Sequence, residues 1–167
     1  MAAGNTYTQI ASTTLGSAAS SVTFSSIAGT YTDLVVVAST STTHTAATNL
    51  RYKFNASTGS IYSGTFLTGD GSTAASSNSG GTSTFGYFGE LTNSATEFGV
   101  VVCSINNYSN ATTYKTTLSR ANYASGMTTA VVGLAQTTAA VSSILIQFGA
   151  GDLRTGSTFN LYGISAA

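Results

Sequence analysis

The sequence predicts an all-β protein: one antiparallel β-sandwich domain of the jelly-roll type, spanning residues 1–167. Three observations indicate this class. Apolar and hydroxyl residues alternate with a period of two through most of the chain, as they do on half-buried strands. Turn residues recur at the short intervals that are typical of sandwiches and barrels. No long segment combines helical spacing with capping residues, so we expect about nine or ten strands and no extended helix.

The first strands are indicated by short apolar patterns. In residues 21–25, Val22 and Phe24 point one way and the flanking hydroxyls the other. Residues 34–38 are apolar throughout, which predicts a strand covered on both faces. In residues 50–54 the alternation is clearest, and it predicts three buried side chains and two outward cations, namely Leu50, Tyr52 and Phe54 against Arg51 and Lys53.

Residues 98–105 are apolar on both faces, one formed by Phe98, Val100 and Val102 and the other by Val101, Cys103 and Ile105. This pattern predicts a central strand covered on both sides. Cys103 is the only cysteine, so no internal disulfide is available, and we expect a buried thiol that packs as a small hydrophobe. Two further strands are predicted near the end of the chain, at residues 144–148 and 159–164.

The chain contains no proline, so its turns must use Gly, Asn, Asp and Ser. We predict turns at residues 57–59, 69–71, 106–107 and 149–152. Residues 70–84 stand apart, because from residue 72 onward they consist almost wholly of Ser, Thr, Ala, Asn and Gly. With little apolar surface to bury, this segment is predicted to be a mobile loop.

Charge is scarce, since 6% of the residues are charged and the formal net charge is zero. A domain usually carries about 25% charged residues. The basic patch that nucleic-acid binding requires is absent, and so are the acidic clusters that hold divalent cations. The longest apolar run, residues 34–38, is far shorter than the ~20 residues of a membrane span. We therefore expect no nucleic-acid partner, no membrane insertion and no metal or other cofactor.

The residues do not assemble into a recognisable catalytic site. His44 is the only histidine, and neither a zinc ligand set nor a G-x-S-x-G nucleophile motif accompanies it. Glu90 and Glu97 flank a predicted turn and could approach each other as a glycosidase pair does, but two surface carboxylates are the simpler interpretation. Asp33 is expected to accept hydrogen bonds from backbone amides at the start of its strand. The sequence thus predicts a protein that is not an enzyme, with no catalytic, cofactor or metal residues.

The chain carries nine tyrosines and no tryptophan. Tyrosine combines a large apolar ring with a polar tip, and it is common at interfaces. Most of these side chains are expected in the core with their hydroxyls at its rim. Exposed ones could stack on sugar rings.

Four segments resemble a family of small virion structural proteins of tailed phages: VTFSSIAGTYTDLVVVAS, LRYKFNASTGSIYS, INNYSNATTYKT and FNLYGI. The resemblance extends from about Tyr7 to Ile164. The family commonly has a proline where Ala28 and Gly29 stand, and related chains often carry an acidic residue near residues 55–57 that is missing here. The resemblance implies a β-sandwich that decorates the capsid or belongs to a tail or fibre, and it supplies no catalytic residues.

From this resemblance we expect a capsid decoration protein in the virion. Because the N-terminal residues show no secretory signal peptide, we expect it to be assembled in the host cytoplasm. Its partners would be the major capsid protein or neighbouring virion proteins. A symmetric homo-oligomer, most simply a trimer, is expected. The alternative is an adhesive module of the tail or a fibre that binds host surface glycans through exposed tyrosines and the loop at residues 70–84.

Overall fold

The computed structural model describes residues 6–91, 97–123 and 126–165, and for Tyr123 it describes the backbone only. These residues form twelve strands: β1 Tyr7–Thr14, β2 Val22–Phe24, β3 Asp33–Thr40, β4 Thr48–Phe54, β5 Tyr62–Gly69, β6 Ala74–Asn78, β7 Gly86–Leu91, β8 Gly99–Asn106, β9 Lys115–Tyr123, β10 Met127–Ala135, β11 Ile144–Phe148 and β12 Thr158–Ile164. Nowhere in the described ranges is there a helix long and apolar enough to cross a bilayer.

The strands form two antiparallel sheets that pack face to face, so the predicted all-β sandwich is confirmed. The large sheet has the order β1-β12-β3-β8-β9-β10-β5-β6 and the small sheet the order β2-β11-β4-β7. If the two hairpins β5–β6 and β9–β10 are set aside, two four-stranded sheets remain, β1-β12-β3-β8 and β2-β11-β4-β7. Consecutive strands of this set alternate mainly between the sheets, which is the jelly-roll arrangement.

The core fills the space between the sheets and is centred on β4. Leu50, Tyr52 and Phe54 are buried as predicted, whereas Arg51 and Lys53 are only partly covered. The Tyr52 ring lies 4.8 Å, centroid to centroid, from each of the Phe54 and Phe88 rings. These aromatic contacts add to the stabilisation that burial of the rings supplies.

Hydroxyl groups inside this core are paired with particular partners. The Tyr52 hydroxyl lies 3.0 Å from the Thr117 Oγ1, and the Tyr62 hydroxyl accepts a 2.7 Å hydrogen bond from the Phe54 backbone amide. Burial is the main cause that raises the pKa of both tyrosines. The two hydroxyls therefore stay neutral and link β4 of the small sheet to β9 and β5 of the large sheet.

The expected loop at residues 70–84 is wrong in part, because Ala74–Asn78 form strand β6 at the edge of the large sheet. All five side chains of β6 are exposed, so apolar patterning could not reveal the strand. Its backbone pairs with β5, and the turn between the strands is closed by Asp70, whose Oδ1 accepts hydrogen bonds from the amides of Ser72 and Thr73 at 2.8 and 2.7 Å. Backbone pairing, not burial, makes this segment a strand.

The prediction for residues 98–105 was half right. β8 is central in the large sheet, between β3 and β9, and Val101, Cys103 and Ile105 are fully buried. Its other face is open: Val100 is 45% exposed. The small sheet covers only one side of the large sheet, and no described element covers the other, so the apolar outer side chains meet solvent.

Candidate functional site

The residues considered for catalysis lie on different elements of the sandwich. His44 is half-buried in the loop between β3 and β4, where its Nδ1 accepts a 3.2 Å hydrogen bond from the Ala46 backbone amide. Cys103 is fully buried, and burial raises the pKa of its thiol, so it packs as the hydrophobe predicted. Within the described residues, no group of three or more His, Cys, Asp or Glu side chains is placed to hold a metal ion.

Two carboxylates have local structural roles. The Asp33 Oδ1 accepts a 2.6 Å hydrogen bond from the Asn107 backbone amide, as expected for a residue at the start of a strand. The backbone amides of Thr73 and Ser72 lower the pKa of Asp70. Both carboxylates therefore bind the protein's own backbone amides.

The two glutamates have different surroundings. Glu97 is exposed, and Glu90 is partly covered in β7. The turn expected between them falls on residues 92–96, outside the described residues.

The tyrosines divide into core and surface groups. Tyr52, Tyr62 and Tyr108 are fully buried, but they are only three of the eight tyrosine side chains that the structure describes, so the expectation that most lie in the core is not met. Tyr7 and Tyr114 are 59% and 54% exposed. Tyr87 is partly covered and takes part in one of the two surface sites described next.

The first site is an apolar surface on the outer face of the large sheet. Four of its side chains are about half exposed: Leu67 at 55%, Val100 at 45%, Leu118 at 56% and Val132 at 56%. They lie on four neighbouring strands, β5, β8, β9 and β10, and Leu118 directly faces Val132 in the strand pairing. We name these four residues the outer apolar patch. Large apolar side chains that are exposed together on one sheet face often mark an interaction site.

A shallow depression of about 650 Å³ opens within this face between β5, β8, β9 and β10. Its lining includes Leu67 and Val100 of the patch together with Arg120, which is exposed and lies between Val102 and Ala130 in the strand register. None of its lining residues is acidic. The depression therefore presents one cation within an apolar surface.

The second site is a cleft at the edge of the small sheet, which we name the overhang cleft. The edge strand β7 packs across β9 and β10, so the hairpin β5–β6 projects past it. The cleft encloses about 260 Å³ between this hairpin and the outward side chains of β4 and β7, and its lining includes Asn49, Arg51, Phe66, Tyr87, Glu90 and Thr129.

A bulge in β7 positions two of these residues. Gly89 has φ of +138°, which glycine adopts readily, and a Cβ there would lie 2.9 Å from the Ala121 Cβ. The pairing of β4 with β7 shifts register at this point. As a result Tyr87 and Glu90, three residues apart, both lie on the partly covered side, while Phe88 is buried.

Arg51 lies against aromatic rings and backbone. Its guanidinium carbon is 5.5 Å from the Tyr87 ring centroid and 5.6 Å from that of Phe85. A Cβ on Gly149 would come within 2.6 Å of the same carbon, so glycine permits this close approach. Phe66 and Tyr87 meet edge to face at 5.4 Å. These contacts hold one wall of the cleft in a fixed arrangement.

Three buried polar atoms at the cleft are unpaired. Across the described part of the chain, only Asn49 Oδ1, Arg51 Nε and Thr129 Oγ1 are buried side-chain nitrogens or oxygens without a hydrogen-bond partner. All three residues line the overhang cleft. Sequence reasoning missed this site, because the three residues come from β4 and β10 and converge only in the folded sandwich.

No protein-family model matches the sequence, and a search of curated proteins finds no significant relative. The fold and the surface define this protein as a jelly-roll β-sandwich with two surface sites, the outer apolar patch and the overhang cleft.

Proposed function

We propose that this protein is a non-enzymatic structural protein of a tailed-phage virion, and specifically a capsid decoration protein. The observation that carries the proposal is the outer apolar patch, which places four of the seven exposed large hydrophobic residues among the described ones on one sheet face. The sequence resemblance to virion structural proteins supports it independently. Jelly rolls also occur in viral capsid and lectin domains, although that is support by analogy of fold alone.

The proposed occupant of the patch is the major capsid protein. Arg120 bears on the choice between this partner and a second copy of the chain. A two-fold dimer centred on this face would bring two Arg120 side chains together with no acidic residue in the depression to separate them. A different chain can present an apolar surface with a carboxylate or carbonyl oxygen opposite Arg120.

Scarce charge suits attachment to a shell exposed to changing salt, because screening acts on charged contacts and leaves apolar ones nearly unchanged. The proposal includes the symmetric homotrimer expected above, which mass photometry of the purified protein would test. A trimer would suit the three-fold positions of an icosahedral shell.

Quantitative mass spectrometry of purified virions tests the decoration role. We expect a fixed and high ratio of this chain to the major capsid protein, corresponding to hundreds of copies per particle. A few copies per particle would contradict the role.

The second candidate function is an adhesive module of the tail or a fibre that binds host surface glycans. The overhang cleft favours it, because polar groups and aromatic rings meet there. This candidate predicts few copies per virion and binding of the isolated protein to host envelopes. If host envelopes bind none of it, the adhesive role is wrong.

A further inference from the structure

The overhang cleft combines unpaired polar atoms with aromatic side chains. Buried polar atoms in native proteins almost always have hydrogen-bond partners, and an exception calls for a reason. Here three unpaired atoms, Asn49 Oδ1, Arg51 Nε and Thr129 Oγ1, are the only ones among the described residues, and their residues line one cavity. Thr129 is 3% exposed. A bound group that pairs with these atoms would account for all three.

The unpaired set selects the ligand by its hydrogen-bonding capacity. Asn49 Oδ1 can only accept, Arg51 Nε can only donate, and the Thr129 hydroxyl can do either. A ligand that only accepts, such as phosphate or sulfate, would leave Asn49 unpaired and would face the Glu90 carboxylate. A cation would meet Arg51, and an apolar ligand would pair with none of the three. Hydroxyl groups, which both donate and accept, match the whole set.

The lining residues and the volume of the overhang cleft narrow the class of ligand further. Phe66 and Tyr87 line the cleft together with the residues of the polar atoms, and an aromatic ring packs well on the apolar C–H face of a sugar. The volume of about 260 Å³ lies just below the roughly 300–1,000 Å³ of sites for larger ligands. It therefore has room for a single ring.

We propose that the overhang cleft binds one neutral monosaccharide unit, either as a free sugar or as a residue of a surface glycan. The unit places hydroxyl groups against Asn49, Arg51 and Thr129 and one face against the aromatic wall. This inference goes beyond the decoration role, because it concerns the isolated protein wherever it lies in the particle. It gives the adhesive candidate a specific site.

The test uses the full chain and three probes, the methyl glycosides of glucose, galactose and mannose, titrated in an NMR experiment that follows backbone amides. We expect saturable binding of at least one probe, with a dissociation constant in the millimolar range that suits so small a site. The shifted amides should cluster at Asn49, Arg51 and Tyr87. N-acetylneuraminic acid, a sugar that carries a carboxylate, should not bind.

Two matched substitutions separate binding from folding. Thr129→Val removes an unpaired buried hydroxyl, so it should weaken binding roughly 2- to 12-fold while leaving the melting temperature unchanged or higher. Thr117→Val removes a buried hydroxyl that is paired with Tyr52, so it should lower the melting temperature and leave affinity unchanged. A merely structural role of Thr129 would not produce this opposite pair of effects.

Three results would overturn the proposal: no binding of any neutral probe to the folded protein, binding of the anionic sugar alone, or full affinity in the Thr129→Val variant. The first would mean that water occupies the cleft. If a neutral oligosaccharide binds more tightly than its terminal sugar alone, the natural ligand is a residue of a glycan. If the two bind with equal affinity, the natural ligand is a free sugar. Failure here would leave the virion copy number, and so the decoration role, untouched.

Discussion

Replacing Leu118 and Val132 together by serine should weaken attachment to the capsid shell without unfolding the protein. The two residues face each other across β9 and β10 on the outer face of the large sheet. Each is 56% exposed in the isolated chain, so its apolar surface is available to a partner. Serine removes most of that surface and keeps the site uncharged.

The expected loss follows from the exposed area. Burial of a whole Val or Leu side chain contributes about 1.5–3 kcal/mol. Because each residue is 56% exposed, complete burial of its side chain under a partner would contribute roughly 0.8–1.7 kcal/mol. The double variant should therefore bind about 15- to 300-fold more weakly than the unmodified chain.

The assay is rebinding to particles that lack the protein, followed by sedimentation and densitometry of the bound fraction over a concentration series. Tyr114→Ser is the matched control, because Tyr114 is also exposed but lies outside the outer apolar patch; it should rebind normally. Thermal unfolding should shift by only a few degrees for the double variant, as for other surface changes. Unchanged rebinding of the double variant would refute the assignment of this face.

Further predictions concern the core. Tyr62→Phe leaves the buried Phe54 amide without its acceptor, so it should lower the free energy of unfolding by about 1–3 kcal/mol in a urea titration. Tyr114→Phe, at an exposed position, should leave the free energy of unfolding unchanged. Equal effects of the two substitutions would contradict the reasoning. Burial raises the pKa of Cys103 and Tyr52 above their ordinary values of 9.0 and 10.0. The contribution of these two groups to stability should thus be constant from neutral pH to about pH 8.5 and fall as the pH rises further, since the unfolded chain loses these protons first. A flat profile from neutral pH to pH 11, roughly a unit above the ordinary tyrosine value, would be evidence against it. Cys103 should react with a thiol reagent only after unfolding, and rapid labelling of the folded protein would show that it is not sealed in the core.

Much of the sandwich could be predicted because local patterning and tertiary burial agree there. In β4 the alternation of large apolar and cationic residues places Tyr52 in the core and Arg51 outside it, and the structure follows that pattern. β6 was missed because nothing in Ala74–Asn78 is buried. A strand held by backbone pairing and a hairpin turn has no apolar signature.

The outer apolar patch and the overhang cleft could not be predicted from local sequence patterning. In β8 the sequence pattern cannot distinguish an apolar face that another layer covers from one that is free, so Val100 was expected to be buried and is exposed. The overhang cleft depends on the Gly89 bulge and on a large sheet wider than the small one. Thr129 and Asn49 are eighty residues apart and meet only through those non-local features.

The central claim is that the outer face of the large sheet attaches this protein to the shell of a virion. A cryo-electron microscopy reconstruction of the particle tests that claim most directly. We expect repeated copies over the capsid, each with the outer apolar patch and Arg120 turned toward the major capsid protein. Copies found at the tail alone, or attached to the shell with this face pointing to solvent, would contradict the account.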